Sequence, residues 1–458
     1  MQMLDQQIAY FWHNLMLYGL PIEDTLNRIE VIVKPSHLDL SIIAKASDGK
    51  IMTFIQPSDK FCSALGVSLF QSKKDDSSYF SCPKNSIGEI RLRSLHSSCT
   101  FKGEGEPVVV DKDGNLAWLF IPKNAGGLLL IGTDIIADLI CYRHGDPKAI
   151  SPKESLWGID GERPVYLFEK QIANLPRYHE RQADFWSMLI AQFFSIKLNS
   201  LLKPILPNGA PGAIVITGDD DQAYLEKYEE QLKLLEGLPI TYFLHPLTRH
   251  TRSSLKLIQS KNQRVNFEIH PDALDNPAQY GSLLKEQCDW YSHLAGTRAG
   301  ILRNHGYLND GYWGHLGSWI NEGINFSSNI PGFDGCALNG SLLPSRLLHN
   351  GVLSEHWSIV TAIGDGIRYL DGGRSDLDCA NCIFDLADSI KQSTIPGVIV
   401  LNLHPQNVGD TRAMHLAIHE VVKSGFIAWN MIECLNWFTG KSKPIPPQSI
   451  WQRVRRLL

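Results

Sequence analysis

The spacing of apolar residues changes along the chain. In residues 8–20, Ala9, Phe11, Trp12, Leu15 and Met16 can share one helix face. From residue 28 the period shortens to two. Ile29, Val31 and Val33 alternate, the segment from Leu38 to Ile43 reads the same way, and Asp48-Gly49 signals a turn before another strand. Ser72 to Ser78 is polar and reads as a surface loop, Ile90 to Arg93 alternates again, and 107–110 is a short strand before Asp111-Lys112-Asp113-Gly114. The first 105 or so residues are therefore expected to be rich in strands and poor in helices. Ala117 to Pro122 is apolar, and Gly126 to Asp134 is an apolar run that closes on an aspartate and leads into a helix from Ile135 to Cys141. Tyr142 to Pro147 contains Gly-Asp-Pro, an ordinary turn. Residues 173–199 have helical period, with Trp186, Ile190, Phe193 and Phe194 on one face.

Leu201 to Gly212 carries Pro204, Pro207, Pro211, Gly209 and Gly212, the clearest boundary in the chain. Beyond it strands alternate with helices. Strands are expected at 213–217, 240–244, 265–269, 324–328 and 398–403. Helices are expected at 224–236, 253–260, 280–295, 314–322 and 411–424. This alternation means a parallel sheet or a (β/α) barrel, and the pattern alone does not separate the closed form from an open doubly wound sheet. The expected organisation is an α+β domain over 1–200, a Pro/Gly linker over 201–212, an α/β domain over 213–440, and a tail over 441–458.

Composition narrows the class. Of 458 residues, 43% are hydrophobic and 20% charged, which fits a globular chain of two or three domains. A net charge of -5 gives no basis for a nucleic-acid footprint. Met1 to Asp5 lacks the basic region of a secretory signal, and no stretch approaches the roughly 18 apolar residues of a membrane span. A cytoplasmic protein without a transmembrane segment is expected. The nine cysteines are scattered and odd in number, which argues against a disulfide framework. The close pair Cys379-Ala380-Asn381-Cys382 lacks the second pair of a structural zinc site and reads as a helix start with a buried thiol.

The candidate chemistry sits where the apolar runs stop. Gly212 to Thr217 ends at Gly218-Asp219-Asp220-Asp221, three adjacent carboxylates whose repulsion calls for a cation or a shared proton. Other candidate strands end at His245, His270, His305 and His404. Residues at the carboxyl ends of parallel strands converge although far apart in sequence. Carboxylates with imidazoles are a fitting ligand set for zinc or another divalent ion, and a spare carboxylate can take a proton from water. Metal-assisted hydrolysis of an amide or ester follows as the reaction class. Asp365, in Ala362-Ile363-Gly364-Asp365-Gly366, is a weaker candidate.

From about 210 to 436 the chain resembles the polysaccharide deacetylase-like family of carbohydrate esterases. Thr217-Gly218-Asp219-Asp220 is similar to the family's Thr-Phe-Asp-Asp motif, Phe267-Glu268-Ile269-His270 to its ligand-histidine segment, Arg303-Asn304-His305 to its arginine segment, and Leu401-Asn402-Leu403-His404 to its closing Leu-x-Leu-His. The resemblance implies an irregular (β/α)7 barrel, an α/β fold, behind the α+β domain. It implies Asp219 as general base, Asp220 and His270 as metal ligands, Arg303 as the group that orients the base, and His404 as general acid. The implied activity is metal-dependent removal of an N-acetyl or related acyl group from a sugar, nucleotide sugar or lipid-linked precursor, with zinc the first choice of ion. Two departures stand out. The family's second ligand histidine, four residues from the first, has no counterpart, since those positions hold Asn266 and Leu274, and Asp221 replaces a glycine. The third ligand is left to Asp221, His245 or His305, or the metal is absent. The alternative is a catalytically silent carbohydrate-binding or scaffolding protein on the same barrel. Asn304, Tyr307, Asn309, Asp310, Tyr312, Trp313, His315 and Asn329, interspersed with glycines, read as amides and rings lining a sugar cleft.

Overall fold

The strand Gly212–Asp219 is buried along its whole length. A parallel strand covered on both faces has this continuous apolar character, because helices lie outside it and other strands' side chains lie inside. The computed structural model describes residues 2–71, 79–82, 92–150, 164–165, 181–332, 340–366 and 375–441. The expected loop at 72–78, the start of the 90–93 strand, the 173–180 end of the long helix and most of the 441–458 tail lie outside these residues. Two compact units divide the chain. One holds Met1–Gln6, Arg143–Arg181 and Leu206–Leu458, and the other holds Gln7–Tyr142 and Gln182–Ile205.

In the first unit, Gly212–Asp219 pairs in parallel with Ile240–Leu244, which pairs with Val265–Ile269, then Ile301–Leu302, Phe326–Pro331 and Val352–Thr361. The last of these runs on through Ala362 into Ile363–Gly364, which pairs with Gly397–Asn402, and that strand pairs back with Gly212–Asp219. The hydrogen bond from Ala362 N to Val400 O, 2.9 Å, carries the ladder across the joint. The ring is closed and contains seven strands when Val352–Thr361 and Ile363–Gly364 count as one. Ser345–His349 is an antiparallel addition outside the ring, and Ile427–Trp429 pairs in parallel with Ala213 to Val215. The strands 345–349 and 352–361 carry mixed sequence such as Ser354-Glu355-His356, and their apolar spacing gives no clear period.

Alternation sorts each strand. Ile214, Ile216, Ile399, Leu401 and Leu403 point outward into one core with Leu232, Ile383, Leu386, Ile390, Met414, Ile418 and Val421 of the surrounding helices. The intervening residues Val215, Thr217, Asp219, Asn402 and His404 therefore face the barrel interior or its mouth. Gly218 lies on the outward side, where a Cβ would come 2.3 Å from the Leu403 carbonyl oxygen and 3.3 Å from the Tyr242 ring. That close approach accounts for glycine in this position. Gly218→Ala is expected to lower stability by about 1–3 kcal/mol through overpacking. Thermal and urea unfolding would measure the loss, and an unchanged midpoint would show that the two strands have slack.

The second unit is built on a mixed sheet. Ile29–Val33, Ile51–Ile55 and Gly126–Ile131 are parallel neighbours, and Leu116–Lys123, Glu106–Asp111, Tyr79–Ser81 and Leu92–Arg93 continue antiparallel. The segment read as a strand from Leu38 is instead the helix Leu40–Ser47. Asp39 caps it by accepting from Ser41 N at 2.9 Å, and Ile42 and Ala46, four apart, are its buried face. The N-terminal region is thus less strand-dominated than expected, with further helices at Gln2–Leu17 and Asp59–Ala64. No described helix is long and apolar enough to cross a membrane.

Candidate active site

Strand alternation also divides the three consecutive aspartates. Asp219 and Asp221 turn toward the barrel mouth, and Asp220 turns back toward the helix Leu225–Leu235. There Asp220 Oδ1 accepts from Tyr228 Oη at 2.6 Å and lies 3.8 Å from His250 Nε2. Burial raises the Asp220 pKa, against the hydrogen bonds of Thr248 and Tyr228. Asp220 is thus apart from the cluster formed by the other two. Asp221 (φ 32°) and Gln222 (φ 64°) both hold positive φ. Such backbone costs roughly 1–3 kcal/mol per non-glycine residue and collects at functional sites.

Asp219 is buried among donors. Its Oδ1 accepts from Arg303 Nη1 at 2.9 Å, its Oδ2 from Asn402 Nδ2 at 2.7 Å, and its backbone N–H donates to Asn402 Oδ1 at 3.2 Å. Arg303, wholly buried, also donates to Thr217 Oγ1 at 2.9 Å, Ser328 O at 3.2 Å and Ser328 Oγ at 3.3 Å, and its Cζ sits 4.6 Å from the Phe243 ring centre. A buried guanidinium is tolerable when its donors are met in this way. Burial opposes a charge on Asp219, but His270, Arg303, His404 and the Asn402 hydrogen bond outweigh it and hold the carboxyl well below the usual range.

His404 stands across from Asp219, its Nε2 3.9 Å from Asp219 Oδ2 and 3.4 Å from Asp221 Oδ2. Asp365 grips the other side of the ring. It accepts from His404 Nδ1 through one oxygen and from the His404 backbone N–H, at 2.9 Å, through the other. Burial disfavours the imidazolium, but Asp365, then Asp221 and Asp219, carry its pKa up to about 10. At neutral pH His404 therefore holds a proton on Nε2, facing the site.

Next to this pair, Asp221 Oδ1 is buried without a hydrogen-bond partner. It lies 3.6 Å from His270 Nε2 and 3.9 Å from His305 Nε2. His270 Nδ1 contacts the Arg303 carbonyl at 2.6 Å, and a carbonyl only accepts, so the proton is on Nδ1 and Nε2 offers a lone pair. Burial outweighs the nearby carboxylates and takes the His270 pKa down to about 4, which leaves the ring neutral at pH 7. At His305 the shift runs the other way. Burial lowers its pKa, but Asp272, Asp221 and Asp219 raise it on balance. The site thus favours positive charge, and one orphaned carboxylate oxygen with two imidazole nitrogens fits a divalent ion. The 3.6 and 3.9 Å separations from Asp221 Oδ1 to the two ring nitrogens are a little longer than the roughly 3.4 Å edge of a tetrahedron at zinc–nitrogen bond lengths.

His245 belongs to a neighbouring group, its Nε2 3.1 Å from Asp272 Oδ2. Asp272 follows His270-Pro271 and carries no apolar-run signal of its own. Asn402, Thr217 and Asp272 were missed in the sequence because only the closed ring brings them to the mouth. Part of the expected sugar-lining segment is engaged within the protein, while Asn309 Oδ1 and both ring nitrogens of His315 are buried without a hydrogen-bond partner. Asn304 donates to Leu308 O at 2.7 Å and accepts from Tyr280 Oη at 2.7 Å, Asn329 donates to Leu308 O at 3.1 Å, and Trp313 is buried with its Nε1 on His144 O at 2.9 Å.

No family model and no curated protein matches the chain. Solved structures of polysaccharide deacetylases and carbohydrate esterases match about half of it. A putative polysaccharide deacetylase from Mycobacterium smegmatis is 15% identical, with TM-score 0.42 over 52% of this chain and 94% of that one. A family 4 carbohydrate esterase from Streptomyces lividans, in complex with acetate, is 11% identical, with TM-score 0.34 over 49% and 95%. A putative polysaccharide deacetylase involved in O-antigen biosynthesis from Bordetella bronchiseptica is 17% identical, with TM-score 0.32 over 53% and 96%.

Proposed function

We propose that the barrel unit is a metal-dependent hydrolase that removes an N-acetyl or related acyl group from a sugar or polysaccharide precursor. The observation that carries this reading is the placement of Asp219 and His404, with Oδ2 and Nε2 3.9 Å apart beside the Asp221, His270 and His305 group. One is held ionised by Arg303, and the other is held protonated by Asp365. A binding surface has no need of an acid and a base poised in opposite protonation states.

Asp221, His270 and His305 would hold the ion. A divalent ion there supplies a Lewis acid for the acyl carbonyl and lowers the pKa of water. Asp219 Oδ2 accepts a proton from the attacking water, whose oxygen adds to the acyl carbon. Arg303 keeps that carboxylate charged and fixed before the transfer. His404 Nε2 donates its proton to the leaving nitrogen as the carbon–nitrogen bond breaks, giving a free amine and the carboxylic acid. Asp365 holds His404 Nδ1–H throughout, so the ring keeps its orientation after it becomes neutral.

Exposed Tyr224 and Leu247 follow the strand ends that carry Asp221 and His245, and the Arg249 guanidinium lies 4.4 Å from the Tyr224 ring centre. An exposed aromatic ring suits the face of a sugar. Tyr224→Ala is expected to raise KM by about 2–10-fold with kcat held, the size of one aromatic contact. Steady-state kinetics would show it, and an equal fall in kcat would place Tyr224 in the chemistry instead.

The central test is acetate release by zinc-replete protein from N-acetylated monosaccharides, oligosaccharides, nucleotide sugars and lipid-linked sugars. Release above the Asp219→Asn background supports the hydrolase. Binding of the same sugars with no release above that background would make the barrel a carbohydrate-binding module.

A further inference from the structure

Two candidate ligand groups meet at His305. Asp221, His270 and His305 form one, and His245, Asp272 and His305 form the other. As bare ligand sets they describe two ions bridged by one imidazole. The hydrogen bonds separate them.

Leu247 N–H donates to His245 Nδ1 at 3.1 Å. A ring nitrogen that accepts carries no proton, so the proton of neutral His245 is on Nε2. That Nε2 is 3.1 Å from Asp272 Oδ2 and donates to it. Both nitrogens of His245 are used, and neither offers a lone pair to an ion. Asp272 is itself fixed. Its backbone N–H donates to Gln287 Oε1 at 2.8 Å, its carbonyl accepts from Gln287 Nε2 at 2.6 Å, and its Oδ1 accepts from Leu274 N at 3.0 Å. The same Oδ1 lies 3.4 Å from His305 Nδ1, on the side of the ring away from Asp221.

We propose that the second group is a buttress rather than a second ion site: Asp272, held by His245, is a positioning residue that keeps the proton of His305 on Nδ1 and presents Nε2 to a single divalent cation. The arrangement is a looser version of the one at His270: there Nδ1–H is tied to the Arg303 carbonyl at 2.6 Å, whereas His305 Nδ1 sits 3.4 Å from Asp272 Oδ1 without a formed hydrogen bond. Two imidazoles that turn Nε2 toward Asp221 Oδ1 from neighbouring strand ends define one ligand triangle. A carboxylate behind a ligand histidine fixes the ring and raises its basicity. Leu274 stands where a second histidine of the 270 segment would be, and His305 reaches in from the next strand end instead.

The inference rests on the metal-dependent reading, and zinc binding separates the two. Chelator-stripped full-length protein would be titrated with Zn²⁺ by calorimetry and with Co²⁺ by visible absorption. One ion per chain is expected. Asp272→Ala should weaken binding by about 10–100-fold, the usual effect of losing such a partner. Asp272→Asn keeps the shape and should fall between Asp272→Ala and the unsubstituted protein. His245→Gln, whose amide still donates to Asp272, should retain more affinity than His245→Ala. Nitrogen-15 chemical shifts should report the Nδ1–H tautomer at His305 in the unsubstituted zinc-free protein and a mixture in Asp272→Asn. Two ions per chain would overturn the buttress. One ion per chain with Asp272→Ala and Asp272→Asn both within twofold of the unsubstituted protein would overturn it and leave the metal reading standing. No ion bound at all would overturn both.

Discussion

Asp219→Asn should lower acyl release by about 10²–10⁴-fold, the usual worth of a general base, while leaving the fold in place. The expectation depends on what the substitution leaves behind. Removing one partner of a buried ion pair costs roughly 3–5 kcal/mol when the other charge is stranded. Arg303 would lose its counter-charge but keep its hydrogen bonds, because Thr217 Oγ1, Ser328 O and Ser328 Oγ still accept from it, which should hold the loss toward the low end of that range. The asparagine oxygen can take the Arg303 Nη1 bond as well. What it cannot do is accept a proton from water. Its amide would also meet Asn402 Nδ2, a donor facing a donor, so a modest loss of stability should accompany the loss of rate. The measurement is kcat for acetate release alongside thermal unfolding and zinc stoichiometry. A folded, zinc-loaded Asp219→Asn protein with the unsubstituted rate would remove Asp219 from the chemistry.

How much of this was legible in the sequence follows from strand geometry. The apolar runs that end at Asp219, His270 and His404 locate strand ends, and parallel strands converge there. Alternation carries one step further. With Ile214 and Ile216 packed under helices, Asp219 and Asp221 fall on the opposite face from Asp220. The resemblance to the Thr-Phe-Asp-Asp motif points instead to Asp219 and its immediate neighbour, and the structure sends that neighbour to Tyr228. The difference follows from that alternation, and the positive φ of Asp221 and Gln222 turns the chain only after Asp220. Asp365 was visible only as a weak candidate, because the two-residue pairing that closes the ring, Ile363–Gly364 on Leu401–Asn402, is too short to leave a period. Once it is formed, Asp365 N–H donates to Asn402 O at 3.0 Å, and its carboxylate has no freer place than the His404 ring. Two amides of the 304–329 segment, read as lining a sugar cleft, are engaged within the protein. Amides and rings in a glycine-rich segment serve equally to satisfy a buried loop's own backbone, and Asn304 and Asn329 do so.

Asp365→Asn should produce a defect that grows with pH. The proton on His404 is the one given to the leaving nitrogen, so the rate follows the protonated fraction of that ring. Burial works against that proton, and Asp365 is the first of the groups that hold it, with a pKa of about 10. A raised pKa keeps the acid form up to higher pH and loses it as pH rises through that value. The unsubstituted enzyme should thus keep its rate through neutral pH and fall only near pH 10. Asparagine keeps an oxygen for His404 Nδ1–H, so the ring stays oriented, but the negative charge is gone. If the His404 pKa returns to the ordinary value of about 6.5, roughly one ring in 300 is protonated at pH 9, against about three in four at pH 6. Asp221 and Asp219 remain within 4 Å of Nε2 and will hold part of the shift, so the alkaline limb should settle between the two values. The check is kcat/KM from pH 5.5 to 10.5 for both proteins, which reports the free enzyme. A limb displaced downward with little loss at pH 6 assigns the acid to His404 and its tuning to Asp365. An equal loss at every pH would make Asp365 a structural partner only, and an unmoved limb would place the titrating acid elsewhere.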